Sequence, residues 1–247
     1  MSAPLTLAVR QTENRGMRPP VAARYSTAFA CLAVLLGLAG LRPAQPLAAQ
    51  DPRPDDRLRS AAVEALAPGK LLVAARRLPD PNFANAVILL ADFNGEGAVG
   101  LVLNRQSDLK VARVFPNLTA TLVTAGQAFL GGPVEKTRPM ALVRATSAPA
   151  GARHVLDGVY LLIPRESIEA ALASSTTSSH IRIYLGYAGW SPGQLEAETA
   201  EGVWHVLAAD ADAVFDADPS STWQRQIART DVIQARAGKE IPWPLQR

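Results

Sequence analysis

The sequence predicts an α+β protein in which one domain holds a mixed, largely antiparallel sheet with flanking helices. Apolar, β-branched runs outnumber helical patterns along the chain. Two of these runs, 85–92 and 98–105, are separated by a stretch that contains Asn94-Gly95, a strong signal for a tight hairpin turn. Frequent hairpins place consecutive strands side by side in opposite directions, and they therefore favour an antiparallel sheet.

The individual elements follow from residue periodicity and from turn residues. A strand is predicted at 180–186 because apolar residues alternate there. A long helix is predicted at 220–238, begun by Ser220 or Ser221 and ended at Gly238. The other predicted elements are strands at 70–76, 85–92 and 98–105, a short helix at 107–115 capped by Ser107, strands at 127–134, 138–145 and 158–164, an amphipathic helix at 165–175 and a strand at 202–210.

Charge is distributed unevenly along the chain. The first 50 residues contain five arginines and one glutamate, a net charge of +4, whereas the whole chain carries +3. The remainder is therefore almost neutral, at −1. A folded domain that binds nucleic acid usually carries a basic surface, so this distribution argues against direct nucleic-acid binding.

The N-terminal segment resembles a targeting signal. An uncharged apolar run, 25–41, follows Arg24 and precedes the small residues of 43–50. This order is typical of an export signal that is cut near Ala48 or Ala49. The same run, at 17 residues, is slightly shorter than the roughly 20 that span a membrane.

Three interpretations of that segment stay open. A cleaved signal predicts a periplasmic or secreted protein. An uncleaved one predicts a protein anchored in the membrane by 25–41, which would then be the part that contacts the membrane. Met17, as an alternative first residue, would give the signal a charged lead-in of normal length. A misassigned start leaves a cytoplasmic protein as the third interpretation. The predicted organisation is a targeting segment at 1–49, a Pro-rich linker at 50–60 and a folded domain at 61–247.

Thiol and metal chemistry find little support in the sequence. Cys31 is the only cysteine, and it lies in the apolar N-terminal run. The predicted domain therefore has no disulfide, cysteine nucleophile or cysteine metal site. The three histidines, His154, His180 and His205, show no ligand spacing typical of zinc. We predict no metal and no cofactor.

The segment 184–198 contains Gly189-Trp190-Ser191-Pro192-Gly193, which has the G-x-S-x-G spacing of a hydrolase nucleophile elbow. An elbow uses the backbone N–H of the residue after the serine to stabilise an oxyanion. That residue is Pro192, which has no N–H. A capping box accounts for the same residues, with Ser191 as N-cap, Pro192 at N1 and Gln194 at N3. We therefore predict a structural role for Ser191, and keep as the alternative a hydrolase that uses Ser191 with His205.

Several other residues are candidates for binding rather than catalysis. Arg105 could hold an anion, or it could pair with Glu196 or Glu198. Tyr187 and Trp190 could form an apolar wall beside a helix N-terminus that binds an anion, or they could be core residues. The candidate ligand- or partner-binding residues are Asn104, Arg105, Gly131, Gly132, Tyr187, Trp190, Gly193 and Gln194. The expected partner is an unidentified small anion or another protein.

Four blocks of the chain resemble the bacterial YqgE/AlgH family. They are "DPNFANAVILLADFNGEGAVGLVLNR" at 80–105, "FLGGPV" at 129–134, "YLGYAGWSPGQLEAE" at 184–198 and "GVWHVLAADADAVF" at 202–215. The resemblance covers about 68–245 and implies a barrel-like mixed sheet with flanking helices. It implies no established biochemical activity, although some members are labelled transcriptional regulators. Most members are short cytoplasmic proteins, so the N-terminal segment is a departure from the family.

Overall fold

The computed structural model describes residues 54–78, 80–118, 126–174 and 180–239. The predicted targeting segment, 1–49, lies outside the described residues and stays a prediction. Within the described part, the strands are β1 Lys70–Ala74, β2 Val87–Asn94, β3 Gly97–Val102, β4 Gln106–Lys110, β5 Gln127–Leu130, β6 Val134–Arg144, β7 Arg153–Leu156, β8 Val159–Leu162, β9 Ile181–Trp190 and β10 Trp204–Ala208. The helices are α1 Pro54–Glu64, α2 Val111–Val114, α3 Arg165–Ser174, α4 Gln194–Ala200, α5 Ala211–Val214 and α6 Thr222–Lys239.

The strands form one curled sheet, in the order β10-β1-β2-β3-β9-β6-β8-β7. These neighbours are antiparallel, and β5 joins the long strand β9 in parallel, with β4 beside it. The curl brings β7 back towards β2, where Arg153 forms an ion pair of 3.1 Å with Asp92. Asp92 follows a bulge in β2, and bulges increase the local twist and bending of a strand. The predicted α+β class with a largely antiparallel sheet is confirmed.

Apolar residues fill both faces of the central strands. In β1, Leu71 and Val73 lie in the core on one face of the sheet, whereas Leu72 and Ala74 lie in a second core on the other face. This explains why β1 reads as a continuous apolar run rather than an alternating one. A third core lies beneath α3, which contributes Ile168 and Leu172, and beneath α2. The central strands are thus packed on both faces, which fixes their positions in the fold.

The predicted short helix at 107–115 is wrong over its first half. Residues 106–110 form β4, and helix α2 begins only at Val111. The hydroxyl of Ser107, the predicted cap, donates instead to the carbonyl oxygen of Ala128 at 2.7 Å. Pairing with the distant strand β5 overrides the local helical pattern.

The start of the long C-terminal helix also differs from the prediction. A 3-10 turn occupies Pro219–Ser221, and α6 begins at Thr222. The hydroxyls of Ser220 and Ser221 both donate to the carboxylate of Asp218, so neither serine caps α6. Helix α6 also continues past Gly238 to Lys239.

Three short elements were not predicted from the sequence. Helix α1 occupies 54–64, within the range assigned in part to a linker, and it packs against α4. Strand β7 has only four residues. Helix α5 is a single turn, whose N-cap Asp210 accepts a hydrogen bond from the N–H of Ala213 at 2.7 Å. The four-residue elements β7 and α5 have little periodicity of their own, which is why pattern reasoning passes over them.

Candidate functional site

The G-x-S-x-G segment forms a turn rather than a helix cap at its serine. The N–H of Gln194 donates to the carbonyl oxygen of Ser191 at 3.0 Å, and Gly193 has φ 75° and ψ −10°. These values are those of a type II β-turn with Pro192 and Gly193 at its centre, which is the residue pair this turn favours. Helix α4 therefore begins at Gln194 with Gly193 as its N-cap.

The predicted capping box is half right. The N–H of Ser191 donates to the side-chain oxygen of Gln194 at 3.1 Å, which is the bond expected from the third position of a capping box. The reciprocal bond to the Ser191 hydroxyl is missing, because the N–H of Gln194 donates to the carbonyl oxygen of Ser191 instead. The assignments of Ser191 to N-cap and Pro192 to N1 are therefore wrong, and the Pro-Gly turn is the physical reason.

The geometry does not support Ser191 as a nucleophile. Ser191 is exposed, and the hydrogen bonds of the described residues do not join it to His205. His205 lies on β10, opposite Val73 of β1, and contributes to a separate cavity that Ser191 does not line. Pro192 moreover supplies no oxyanion donor. The described geometry gives no support to the alternative hydrolase.

This arrangement predicts how two substitutions should differ in stability. Ser191→Ala should change the free energy of unfolding by less than about 0.5 kcal/mol, because it removes an exposed hydroxyl with no bond in the described structure. Gln194→Ala should cost about 1 kcal/mol, because it removes the acceptor for the Ser191 N–H and a bond to Glu198. Equilibrium urea unfolding of both variants measures this difference. A larger loss for Ser191→Ala would contradict the assignment.

Beyond the turn, Glu198 binds two tryptophans. Its Oε2 accepts the indole N–H of Trp190 at 2.9 Å and that of Trp204 at 2.8 Å. Its Oε1 accepts from the amide nitrogen of Gln194 at 2.8 Å. Phe83 stacks on Trp190 and meets Trp204 edge to face, with ring centroids 6.3 and 5.8 Å apart. We call Phe83, Trp190 and Trp204 the tryptophan cluster.

The two aromatic residues singled out in the sequence have different environments. Trp190 is only 4% exposed and belongs to the core, so it presents no open wall to a ligand. Tyr187 is partly exposed, and its hydroxyl lies 3.5 Å from the Glu135 carboxylate. Burial, and secondly the nearby Glu135 charge, raise the pKa of Tyr187, so its phenol stays protonated.

Three glycines let two backbone segments pass in close contact. The N–H of Gly131 donates to Leu185 of β9 at 2.8 Å, and its carbonyl accepts from Val102 of β3 at 2.9 Å. A Cβ on Gly131 would lie 2.2 Å from the carbonyl oxygen of Gly186, and one on Gly132 would lie 2.1 Å from the carbonyl carbon of Tyr187. We call Gly131, Gly132 and Gly186 the glycine crossing.

The side chain of Asn104 holds the loop before β2. Its oxygen accepts from the N–H of Val87 at 2.9 Å, and its amide nitrogen donates to the carbonyl oxygen of Asn85 at 2.9 Å. Asn85 has φ 56°, a left-handed conformation that asparagine tolerates better than most residues. Asn104 therefore replaces backbone partners that the loop itself does not supply.

Arg105 holds the same loop from its other side. Its guanidinium donates to the carbonyl oxygens of Asn82 and, at 3.2 Å, of Ala84. Burial lowers the pKa of Arg105, and the charge of Asp80 opposes that shift. The guanidinium thus makes its hydrogen bonds to the backbone of this loop, rather than to Glu196 or Glu198 as one of the two sequence interpretations had it.

The candidate residues therefore fall into two groups. Asn104 and Arg105 lie beside the glycine crossing and Tyr187, because the N–H of Leu130 donates to the Arg105 carbonyl at 2.8 Å. Trp190, Gly193 and Gln194 belong to the turn and to the residues bound by Glu198. Sequence reasoning missed Leu130, a large apolar side chain that is 48% exposed directly before the crossing. The residues before Leu130 give no sign of this exposure, because Ala128 and Phe129 are both buried. Whether the next side chain of a strand is covered depends on the neighbouring strands.

The fold and these sequence blocks match those of known proteins. The family model described as DUF179, AlgH-like, matches residues 71–234, which is about two-thirds of the chain. The chain belongs to the AlgH-like family. It is 34% identical over 168 residues to a UPF0301 protein of Chlorobaculum tepidum, covering 66% of this chain and 87% of that protein. It is 38% identical over 182 residues to one of Anaeromyxobacter sp., covering 69% and 90%.

Two solved structures extend the AlgH-like assignment to the fold. The solution structure of the AlgH protein from Pseudomonas aeruginosa aligns with a TM-score of 0.56 and 32% identity, covering 66% of this chain and 87% of that one. A crystal structure of a protein from Corynebacterium diphtheriae aligns with a TM-score of 0.59, covering 70% and 91%. At 23% identity, this second match supports the fold alone. The resemblance noted in the sequence is therefore confirmed.

In the described part of this AlgH-like chain, between residues 54 and 239, no helix is both long enough and apolar enough to span a bilayer. The apolar run 25–41 lies outside that range, so its predicted role is not tested.

Proposed function

We propose that this AlgH-like protein is a non-enzymatic binding domain that recognises a protein partner through the surface around the glycine crossing. The observation that carries the proposal is Leu130, which is 48% exposed although the adjacent Phe129 and Gly131 are buried. An exposed apolar side chain can be buried against a partner, and burial of apolar surface is the main favourable term in most protein association. Arg105, whose carbonyl oxygen accepts the N–H of Leu130, is a residue type enriched at protein interfaces.

Hydrogen bonds on both sides make this surface rigid. Leu130 donates its N–H to Arg105, and the next residue, Gly131, bonds to both Val102 and Leu185. Leu130 therefore has little freedom to fold back into the core without breaking main-chain bonds. A preformed anchor loses little conformational entropy on binding, which favours recognition.

A protein partner fits this region better than the small anion that the sequence left open. The hydrogen bonds of the Arg105 guanidinium already go to two backbone carbonyls. The short helix α4 carries Glu196 in its first turn and Glu198 two residues later. The negative charge of these carboxylates repels an anion at this helix end. Leu130 instead offers an exposed apolar side chain, which an apolar group of a protein can cover and a small anion cannot.

The partner can be sought with a photo-reactive amino acid at position 130 of the full chain, expressed in the source organism. We expect a discrete adduct with one other protein, identified by mass spectrometry. The matched control is the same amino acid at Val232, which is 51% exposed on α6. With the purified partner, Leu130→Asp should weaken binding at least about ten-fold and Val232→Asp should not. Equal adducts at both positions, or equal affinities of both variants, would contradict the proposed surface.

A further inference from the structure

A cavity of about 270 Å³ lies away from the glycine crossing, between α1, α6 and the segment that joins α4 to β10. Leu58 and Ala62 of α1 and Ile233 of α6 line it, and Thr199, His205 and Thr230 add polar groups to its wall. Pockets with an apolar lining and a few convergent polar groups are the usual sites for small ligands.

Thr199 points to a missing partner in this cavity. The residue is fully buried, and its hydroxyl oxygen has no hydrogen-bond partner in the described structure. Buried hydroxyls are nearly always bonded, so an unpaired one that lines a cavity indicates that a bound molecule supplies the bond. Thr230, also buried, donates its hydroxyl proton to Ile227 at 2.7 Å, so its oxygen keeps free lone pairs.

His205 adds a neutral polar group to the same wall. Burial is the main cause that lowers its pKa, so the imidazole is neutral at pH 7 and offers one N–H donor. The charged groups near it are Asp231, which acts against the shift, and Arg76, which acts with it. These two form an ion pair of 2.6 Å with each other, so their charges largely offset.

The charge of the lining indicates the sign of the ligand. Arg59 is the charged side chain among the lining residues, and no carboxylate lines the cavity within the described part of the chain. Its guanidinium lies close to Gly202, where a Cβ would stand 3.3 Å from the Arg59 Nε. A lining that combines this cation with the aliphatic side chains of Leu58 and Ile233 matches a molecule with an anionic head and an apolar body.

We propose that this cavity binds a small amphipathic carboxylate, whose carboxylate group is held by Arg59 and the Thr199 hydroxyl. Its aliphatic body lies between Leu58 and Ile233. A straight-chain acid of about six carbons has a size suited to the available volume. This site is separate from the Leu130 surface and is independent of the proposed protein partner.

The probe for this site is hexanoate, with uncharged hexanamide as its matched analogue. Titration of the full chain, followed by amide chemical shifts in NMR spectra, should give saturable changes at Thr199, His205 and Thr230. We expect hexanamide to bind at least about ten-fold more weakly, because a hydrogen bond to a charged group is the stronger one. No saturable change with hexanoate, or equal affinities for the two probes, would overturn the proposal.

Variants separate the site from general effects of charge and fold. Arg59→Gln should weaken hexanoate binding about ten-fold, whereas the same change at the exposed Arg113 of α2 should leave it unaltered. Thr199→Val should weaken binding without lowering the melting temperature of the free protein, because it replaces an unpaired hydroxyl by a methyl group. Ala62→Phe should fill the cavity and remove binding while cross-linking from position 130 persists. Unchanged affinity in Arg59→Gln and Ala62→Phe would refute the assignment.

Discussion

Gly132→Ala is expected to destabilise the protein by about 3 kcal/mol or more. Its Cβ would lie 2.1 Å from the carbonyl carbon of Tyr187 and 2.3 Å from the N of Ala188. These are backbone atoms of the long strand β9, so no side-chain rotation can relieve the overlap. Either β9 or the segment after β5 must move, and the ladder bonds at the glycine crossing would then be lost. Equilibrium unfolding in urea measures the loss.

Gly95→Ala is the matched control for this substitution. An added Cβ at Gly95 meets nothing within 4 Å, and the residue lies in the exposed turn between β2 and β3. We expect a change within about 1 kcal/mol of zero, because the alanine also restricts the unfolded chain. Similar losses for Gly132→Ala and Gly95→Ala would show that the glycine crossing is looser than the structure indicates.

Glu198→Leu is expected to cost about 2 to 5 kcal/mol. The substitution leaves the indole N–H groups of Trp190 and Trp204 without their acceptor. Water cannot replace it, because the two residues are only 4% and 2% exposed. Each buried, unpaired donor costs about 1 to 3 kcal/mol, and a leucine of similar length cannot accept a hydrogen bond. Urea unfolding followed by tryptophan fluorescence measures the cost. The near-ultraviolet circular dichroism of the tryptophan cluster should also weaken.

Two controls test whether the carboxylate itself is responsible. Glu196→Leu on the same helix should cost less than about 1 kcal/mol, since it removes only a favourable charge in the first turn. Glu198→Gln should lie between the two, because its side-chain oxygen can still accept from the indoles. If Glu198→Leu and Glu196→Leu lost equal stability, the hydrogen bonds to the tryptophans would not be the source of the effect.

Strong local patterns are the part of this fold that could be predicted. The Asn94-Gly95 hairpin and the runs that become β1, β2 and β9 need no information from elsewhere in the chain. β4 is different: its residues carry a helical pattern, and they form a strand because β5 lies beside them. β7 likewise depends on β8, since four residues cannot define an element on their own.

The candidate site shows the same division. The absence of an N–H at Pro192 is a property of the residue itself, so it opposes a nucleophilic Ser191 whatever fold surrounds the pair. Whether Ser191 or Gly193 begins α4 could not be decided in that way, because the same residues suit a capping box and a type II turn. Glu198 of α4 also accepts hydrogen bonds from Trp190 and Trp204, so residues outside the turn help to fix the position of this helix.

By itself, the sequence determined the α+β class, the family resemblance and the lack of an N–H donor at Pro192, because these depend on local periodicity and on the chemistry of single residues. Only the tertiary structure decided that Arg105 holds a loop, that Leu130 is exposed and that Thr199 lines a cavity. Each of these depends on which distant segment packs beside the residue. Contacts of that kind come from the burial of the whole sheet, and no local pattern encodes them.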